Sequence, residues 1–134
     1  MNQRLPNLLG AAKLHCRPAL LIAAMSAPLS ALGAGDPVAG KQLYDTRCLG
    51  CHGNDTTRGT IGPDLKGIFG RVAATASGGV HSRAMSESDI RWDEQSLRRF
   101  LAAPVKAVPG TTMPTGVPDP AQIDDLIAYL RVLK

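Results

Sequence analysis

The sequence predicts an all-α fold of three to five helices joined by long loops. Apolar residues recur at helical spacing after Asp93 and again after Asp119, and Asp-Pro pairs mark two helix starts. No stretch alternates apolar and polar residues as a half-buried strand would, and no internal repeat is present.

Asp36-Pro37 opens the first helix. The Asp36 carboxylate caps the exposed amides, and Pro37 sits at the first helical position, where no N–H is required. Val38, Leu43 and Tyr44 form a short apolar face, and the helix runs to about Arg47. From Gly53 to Gly70 six residues are glycine or proline, which forbids a long regular element. A second loop, rich in Gly, Ser and Ala, covers about Val72 to Ser86. Asp93 caps the next helix, with Leu97, Phe100 and Leu101 on one face and Pro104 as its stop. The run Pro109-Gly110-Thr111-Thr112-Met113-Pro114 is too rich in proline for helix or strand. Asp119-Pro120 repeats the cap-and-proline start, and Ile123, Leu126, Ile127 and Leu130 make a stripe ending near Leu133.

The first 34 residues read differently. They hold no Asp or Glu, and Arg4, Lys13 and Arg17 precede an apolar run from Ala19 to about Leu32, followed by small residues. This is the layout of a secretory signal peptide over 1–34, with cleavage between Ala31 and Asp36 and a mature domain over 35–134. An uncleaved anchor is the alternative; a mitochondrial transit peptide fits less well, because the apolar core is too continuous. Cys16 falls in this segment, so the mature chain keeps Cys48 and Cys51. Three of the 15 Lys and Arg also fall there, leaving 12 against 11 Asp and Glu. The mature domain is therefore nearly neutral, and the basic isoelectric point is no argument for nucleic acid. Roughly 100 residues with five aromatics make a marginal core, one that a large apolar ligand would complete.

Cys48-Leu49-Gly50-Cys51-His52 supplies that ligand. Two cysteines two residues apart, followed by histidine, form the attachment signature of a c-type haem. Each thiol can add to one vinyl group, and the adjacent imidazole can reach the iron. A redox dithiol and half of a zinc site share the CxxC spacing. The dithiol would want a strand before it, and the zinc site a second ligand pair that the chain lacks. For the second axial position the mature domain offers Met113, Met85 and His81, with Tyr44 and Tyr129 better placed as core. Met113 is favoured, because Pro109, Gly110 and Pro114 stiffen its loop and a weak thioether–iron bond needs a pre-positioned donor. A methionine that fills an apolar gap is the alternative.

With these motifs in order, the chain from Gly35 to Lys134 resembles class I cytochrome c, the small soluble type of mitochondria and bacteria. The matching runs are Gly40-Lys41 to Tyr44, Cys48 to His52, Gly62-Pro63-Asp64-Leu65, Gly67 to Arg71, Trp92, Pro109-Gly110-Thr111 to Met113, and Leu126 to Leu130. The resemblance implies a cytochrome c fold wrapped around one covalent haem c, with His52 and Met113 on the iron. It implies that the Pro63 carbonyl accepts from the ligating imidazole and that Arg71 lies near the inner propionate. Trp92 would donate its indole N–H to a propionate, and Thr111 would donate across the haem edge. Gly40 would let the first and last helices approach closely, with Leu126 and Tyr129 opposite.

Three positions depart from the mitochondrial pattern. His81 stands where a propionate-binding tyrosine is expected; it would bind the propionate through a ring nitrogen or lie solvated in its loop. Phe100 replaces a tyrosine near the methionine sulfur, and Met85 replaces an asparagine. The family's lysine ring is mostly absent, with Arg47 and Lys106 surviving, so strong electrostatic docking is not expected.

A closed six-coordinate site and the absence of an acid–base constellation imply one-electron transfer rather than enzymatic catalysis. The expected protein is a monomeric periplasmic carrier. A quinol-oxidising complex or dehydrogenase would be its donor, and an oxidase or reductase its acceptor, with no nucleic acid and no stable membrane insertion. The alternatives are a dedicated haem subunit of one periplasmic oxidoreductase, and a ligand-binding or peroxidatic haem protein whose methionine is labile.

Overall fold

The computed structural model describes residues 35–53, 61–76 and 78–134. The expected signal segment over 1–34, with Cys16, lies outside the described residues, as does most of the loop from Gly53 to Gly59. Helices α1 (Pro37–Arg47), α4 (Glu94–Ala102) and α6 (Pro120–Val132) form the frame, and α2 (Leu49–His52), α3 (Arg83–Ser86) and α5 (Pro104–Ala107) are single turns. The three long helices are those the caps and stripes predict. The three short ones raise the count above expectation. Among them, α3 shortens the second loop, and Pro104 both stops α4 and starts α5 at its first position, the one helical position that tolerates proline.

The caps act as the sequence implies. Asp36 accepts from the Val38 amide at 2.8 Å and Asp119 from the Ala121 amide at 2.9 Å. Asp93 and Ser96 form a reciprocal capping box, with Ser96 N–H to Asp93 Oδ1 at 2.7 Å and Asp93 N–H to Ser96 Oγ at 2.8 Å.

Packing of α1 on α6 dominates the frame. A Cβ on Gly40 would lie 2.0 Å from the Asp125 carbonyl oxygen, so only glycine allows this crossing. Tyr44 and Tyr129 meet beside it with ring centroids 5.3 Å apart. The apolar face expected for α1 is corrected in one place: Val38 is 65% exposed, and only Tyr44 and Gly40 are buried on that helix. Val38 sits two residues before Gly40, about 200° around the helix, and so lies away from the crossing. Helix α4 buries Leu97, Phe100 and Leu101 against the same core, and α6 buries Ile123, Leu126, Ile127 and Leu130. Ion pairs knit α4 to α6: Arg98 binds Glu94 and Asp124, and Arg131 binds Glu94 at 2.9 Å. No helix among the described residues is long and apolar enough to cross a membrane.

Candidate cofactor site

One cavity, open to solvent, lies between this frame and the loops. Of the residues expected to hold a cofactor, Cys48, His52, Pro63, Arg71, His81, Trp92, Thr111 and Met113 all line it. Cys51 is not on the lining; it is exposed, one turn on from the half-buried Cys48. The two thiols leave α1 through α2, a turn built on Cys51 and His52 amides that both donate to the Cys48 carbonyl. Helix α2 follows α1 directly after Cys48, where the sequence showed no apolar period to carry it.

His52 is the best-defined group. Its Nδ1 lies 2.8 Å from the Pro63 carbonyl oxygen. A carbonyl only accepts, so Nδ1 carries the proton and Nε2 keeps its lone pair. Burial pushes the imidazole pKa below its ordinary value, against the opposing effect of the Pro63 hydrogen bond, so the ring is held neutral. A neutral ring with a free Nε2 is the form that binds a metal. Burial likewise pushes the Cys48 thiol up to about 11.

The loop wall is assembled by backbone pairing that the sequence did not suggest. Gly70 N–H donates to Trp92 O, Trp92 N–H to Arg71 O and Ala73 N–H to Ile90 O, around an antiparallel bridge between Val72 and Arg91. A ladder this short leaves no apolar alternation to read. It brings Arg71 and Trp92 to one face. The Arg71 guanidinium donates to the Asp64 and Lys66 carbonyls at 2.8 and 2.7 Å, closing the turn after Pro63. Trp92 is buried edge-on against Phe100, with centroids 5.2 Å apart.

His81 places Nε2 3.1 Å from the Ala76 carbonyl oxygen. By the same donor logic Nε2 bears the proton, and a neutral ring turns only the Nδ1 lone pair elsewhere. Across the cavity, the Thr111 hydroxyl oxygen accepts from the Met113 amide at 3.3 Å, leaving its own proton to donate. Val117 N–H donates to Leu101 O at 2.7 Å and anchors the methionine loop to α4. Met85 also lines the cavity; the Ser88 hydroxyl lies 3.9 Å from its sulfur but gives its proton to the Met85 carbonyl at 2.8 Å.

Sequence reasoning overlooked the apolar lining from Leu65, Ile68, Ala74, Ala76 and Val80. The signal was the concentration of alanines after Arg71, small side chains that let backbone approach a flat ligand. Ala74 holds a positive φ of 57°. Among the described residues no group of three or more His, Cys, Asp or Glu could hold a metal ion by side chains alone.

This donor set fits a haem. The walls are chiefly apolar, and polar groups converge at a few points. His52 brings a neutral nitrogen donor and Met113 a thioether, with two thiols at the rim.

The family model for cytochrome c matches residues 37–134. Cytochrome c2 of Rhodopila globiformis is 43% identical over 101 residues, covering 75% of this chain and 95% of the relative. Cytochrome c of Chlamydomonas reinhardtii is 40% identical over 100 residues, covering 73% of this chain and 89% of the relative. The solved structure of cytochrome cH from Methylobacterium extorquens superposes with a TM-score of 0.65 at 41% identity, covering 72% of this chain and 97% of that one.

Proposed function

The chain belongs to the cytochrome c family, and from that premise we propose a periplasmic one-electron carrier whose iron is held between His52 and Met113. As a member of that family it binds one covalent haem c, carries electrons rather than catalysing a reaction, and works with redox protein partners. The observation that carries the ligand assignment is the His52 hydrogen bond to Pro63 on a cavity that Met113 also lines.

The haem supplies a one-electron couple. The chain's residues set its surroundings. Pro63 holds the His52 ring by Nδ1, which fixes the tautomer and makes the imidazole a stronger donor. Met113 comes from a loop anchored at Val117, and a thioether opposite histidine favours the reduced state. Apolar walls penalise the additional charge of the oxidised state. Cys48 and Cys51 tie the group to α2, which keeps the geometry alike in both states and lowers reorganisation. Trp92 and Thr111, both on the cavity lining, would offer an indole N–H and a hydroxyl to the bound group. Arg71 uses two of its five N–H donors on backbone carbonyls and would offer its fixed charge to a propionate.

The export reading rests on the positive, apolar and small-residue order of 1–34. Donor and acceptor are periplasmic redox complexes that dock without a strong basic ring. A dedicated subunit is the second reading: Ile61 and Val80, each 64% exposed and joined by a Val80 N–H to Ile61 O hydrogen bond, are an apolar pair that a fixed partner would cover. Co-purification of the exported protein with one oxidoreductase distinguishes that arrangement from free diffusion.

Methionine ligation is tested on purified holoprotein. Met113→Ala is expected to lose the methionine–iron charge-transfer band and to lower the potential. An unchanged band and potential overturns the ligand choice. A high-spin resting spectrum in the unaltered protein favours the ligand-binding or peroxidatic alternative.

A further inference from the structure

Three layers stack behind the Pro63 carbonyl. The first is the His52 ring, bonded through Nδ1 at 2.8 Å. The second is Gly62, where an added Cβ would sit 2.7 Å from both Cε1 and Nδ1 of that ring. The third is Gly79, where an added Cβ would sit 2.1 Å from Gly62 O, 2.3 Å from Gly62 C and 2.6 Å from Pro63 N. The obstacle at Gly79 is therefore the peptide joining Gly62 to Pro63, which has no rotamer with which to yield. Gly62 N–H donates to Cys51 O at 3.0 Å, and Val80 N–H donates to Ile61 O at 3.4 Å. The 78–80 loop thus lies on the 61–63 turn, and the turn lies on the imidazole.

We propose that Gly79 is a positioning residue for His52: its bare backbone seats the 78–80 loop on the Gly62–Pro63 peptide, which holds the Pro63 carbonyl on Nδ1. The inference rests on the proposed ligation by His52. A side chain at Gly79 moves the Gly62–Pro63 peptide and weakens the bond to Nδ1. A weaker bond makes the imidazole a poorer donor, which favours the reduced state and raises the potential.

The neighbouring glycine supplies the control. Gly78 and Gly79 both have positive φ, 77° and 65°, so alanine strains the backbone at either position. Nothing lies within 4 Å of a Cβ at Gly78. Gly78→Ala therefore reports strain alone, and Gly79→Ala reports strain with crowding.

The experiment measures hydrogen exchange of the His52 Nδ1–H by NMR, and the midpoint potential by redox titration, in holoprotein. Gly79→Ala is expected to exchange about tenfold faster than Gly78→Ala, in line with loss of one ordinary hydrogen bond, and to have the more positive potential. Equal exchange and equal potential in the two variants overturn the proposal. Where Gly79→Ala yields no holoprotein, Val80→Pro decides, because it removes the amide that donates to Ile61 and sets a ring carbon against the Ile61 carbonyl, which lifts the 78–80 loop off the turn. Faster exchange in Val80→Pro supports the clamp, and unchanged exchange overturns it. An unaltered protein with no low-spin spectrum fails the ligation reading and the clamp together. A low-spin protein in which Gly79→Ala matches Gly78→Ala fails the clamp alone.

Discussion

On the helical side of the cavity, Tyr44, Ile123, Leu126, Ile127 and Leu130 are each 3% exposed or less. On the loop side, Pro63, Leu65, Arg71, Ala74 and Ala76 are half-buried and Val80 is 64% exposed, while Ile68, Ser82 and Trp92 are buried. The helical side is held by apolar burial and by a crossing that glycine allows. The loop side is held by hydrogen bonds to backbone carbonyls: Arg71 to Asp64 and Lys66, Arg91 to Gly70, and Gly67 N–H to Leu133. Burial of helices sets most of a small domain's stability. Carbonyls and amides arranged around a ligand set its orientation and electronics. Damage to the helical side should therefore read out as stability, and damage to the loops as potential.

The largest expected effect breaks the helical side. Gly40→Val drives a side chain into the Asp125 carbonyl and is expected to cost about 3 kcal/mol. Its denaturant midpoint falls, while the potential of the folded fraction stays at the unaltered value. A shifted potential would show that the two sides are coupled through α6. Next is Arg71→Gln on the loop side, expected to cost about 2 kcal/mol for lost charge-assisted hydrogen bonds. Unlike the first, it should shift the potential, because a fixed positive charge leaves the cavity wall. Chemical denaturation and redox titration on the same sample separate the two effects.

Tyr44 tests the seam between the regions. Its hydroxyl donates to the Gly53 carbonyl, tying α1 to the chain just beyond His52, and burial pushes its pKa well above the ordinary phenol value. Tyr44→Phe should cost about 1 kcal/mol and leave the ring packing intact. A larger loss would assign the hydroxyl a role in seating α2.

The smallest effect concerns the α4 cap and appears only in acid. The Ser96 amide and hydroxyl hold the Asp93 carboxyl below its ordinary value of 3.8. A carboxyl depressed in the folded state stabilises it above the unfolded pKa, and that contribution is lost as pH falls through the folded pKa. Melting temperature should therefore drop below pH 3.8 more steeply in the unaltered protein than in Asp93→Asn, whose amide caps without titrating. Identical acid slopes would remove Asp93 from the account.

The frame was largely legible beforehand, because caps and helical stripes are local. Asp36, Asp93 and Asp119 each cap a helix, and the Ile123–Leu130 stripe is buried throughout. Val38 misled, since apolar character alone does not tell whether a partner reaches that turn. The pairing of 70–73 with 90–92 was invisible, because its bonds join backbone groups about 20 residues apart and leave no side-chain pattern. Met85 and Met113 were both candidates as sequence. Only in three dimensions does Ser88 turn out to lie against the Met85 sulfur.

By itself the sequence determined the helix starts, the haem-attachment motif and the histidine beside it, because each depends on residues within a few positions of one another. It also carried the resemblance that placed Pro63, Arg71, Trp92, Thr111 and Met113 around one group. Tertiary structure alone decided which nitrogen of His52 is left for a metal, what the Arg71 guanidinium holds, and that Gly79 bears on the Gly62–Pro63 peptide. Those are facts of angle and distance between segments remote in the chain, and residue type carries no record of them.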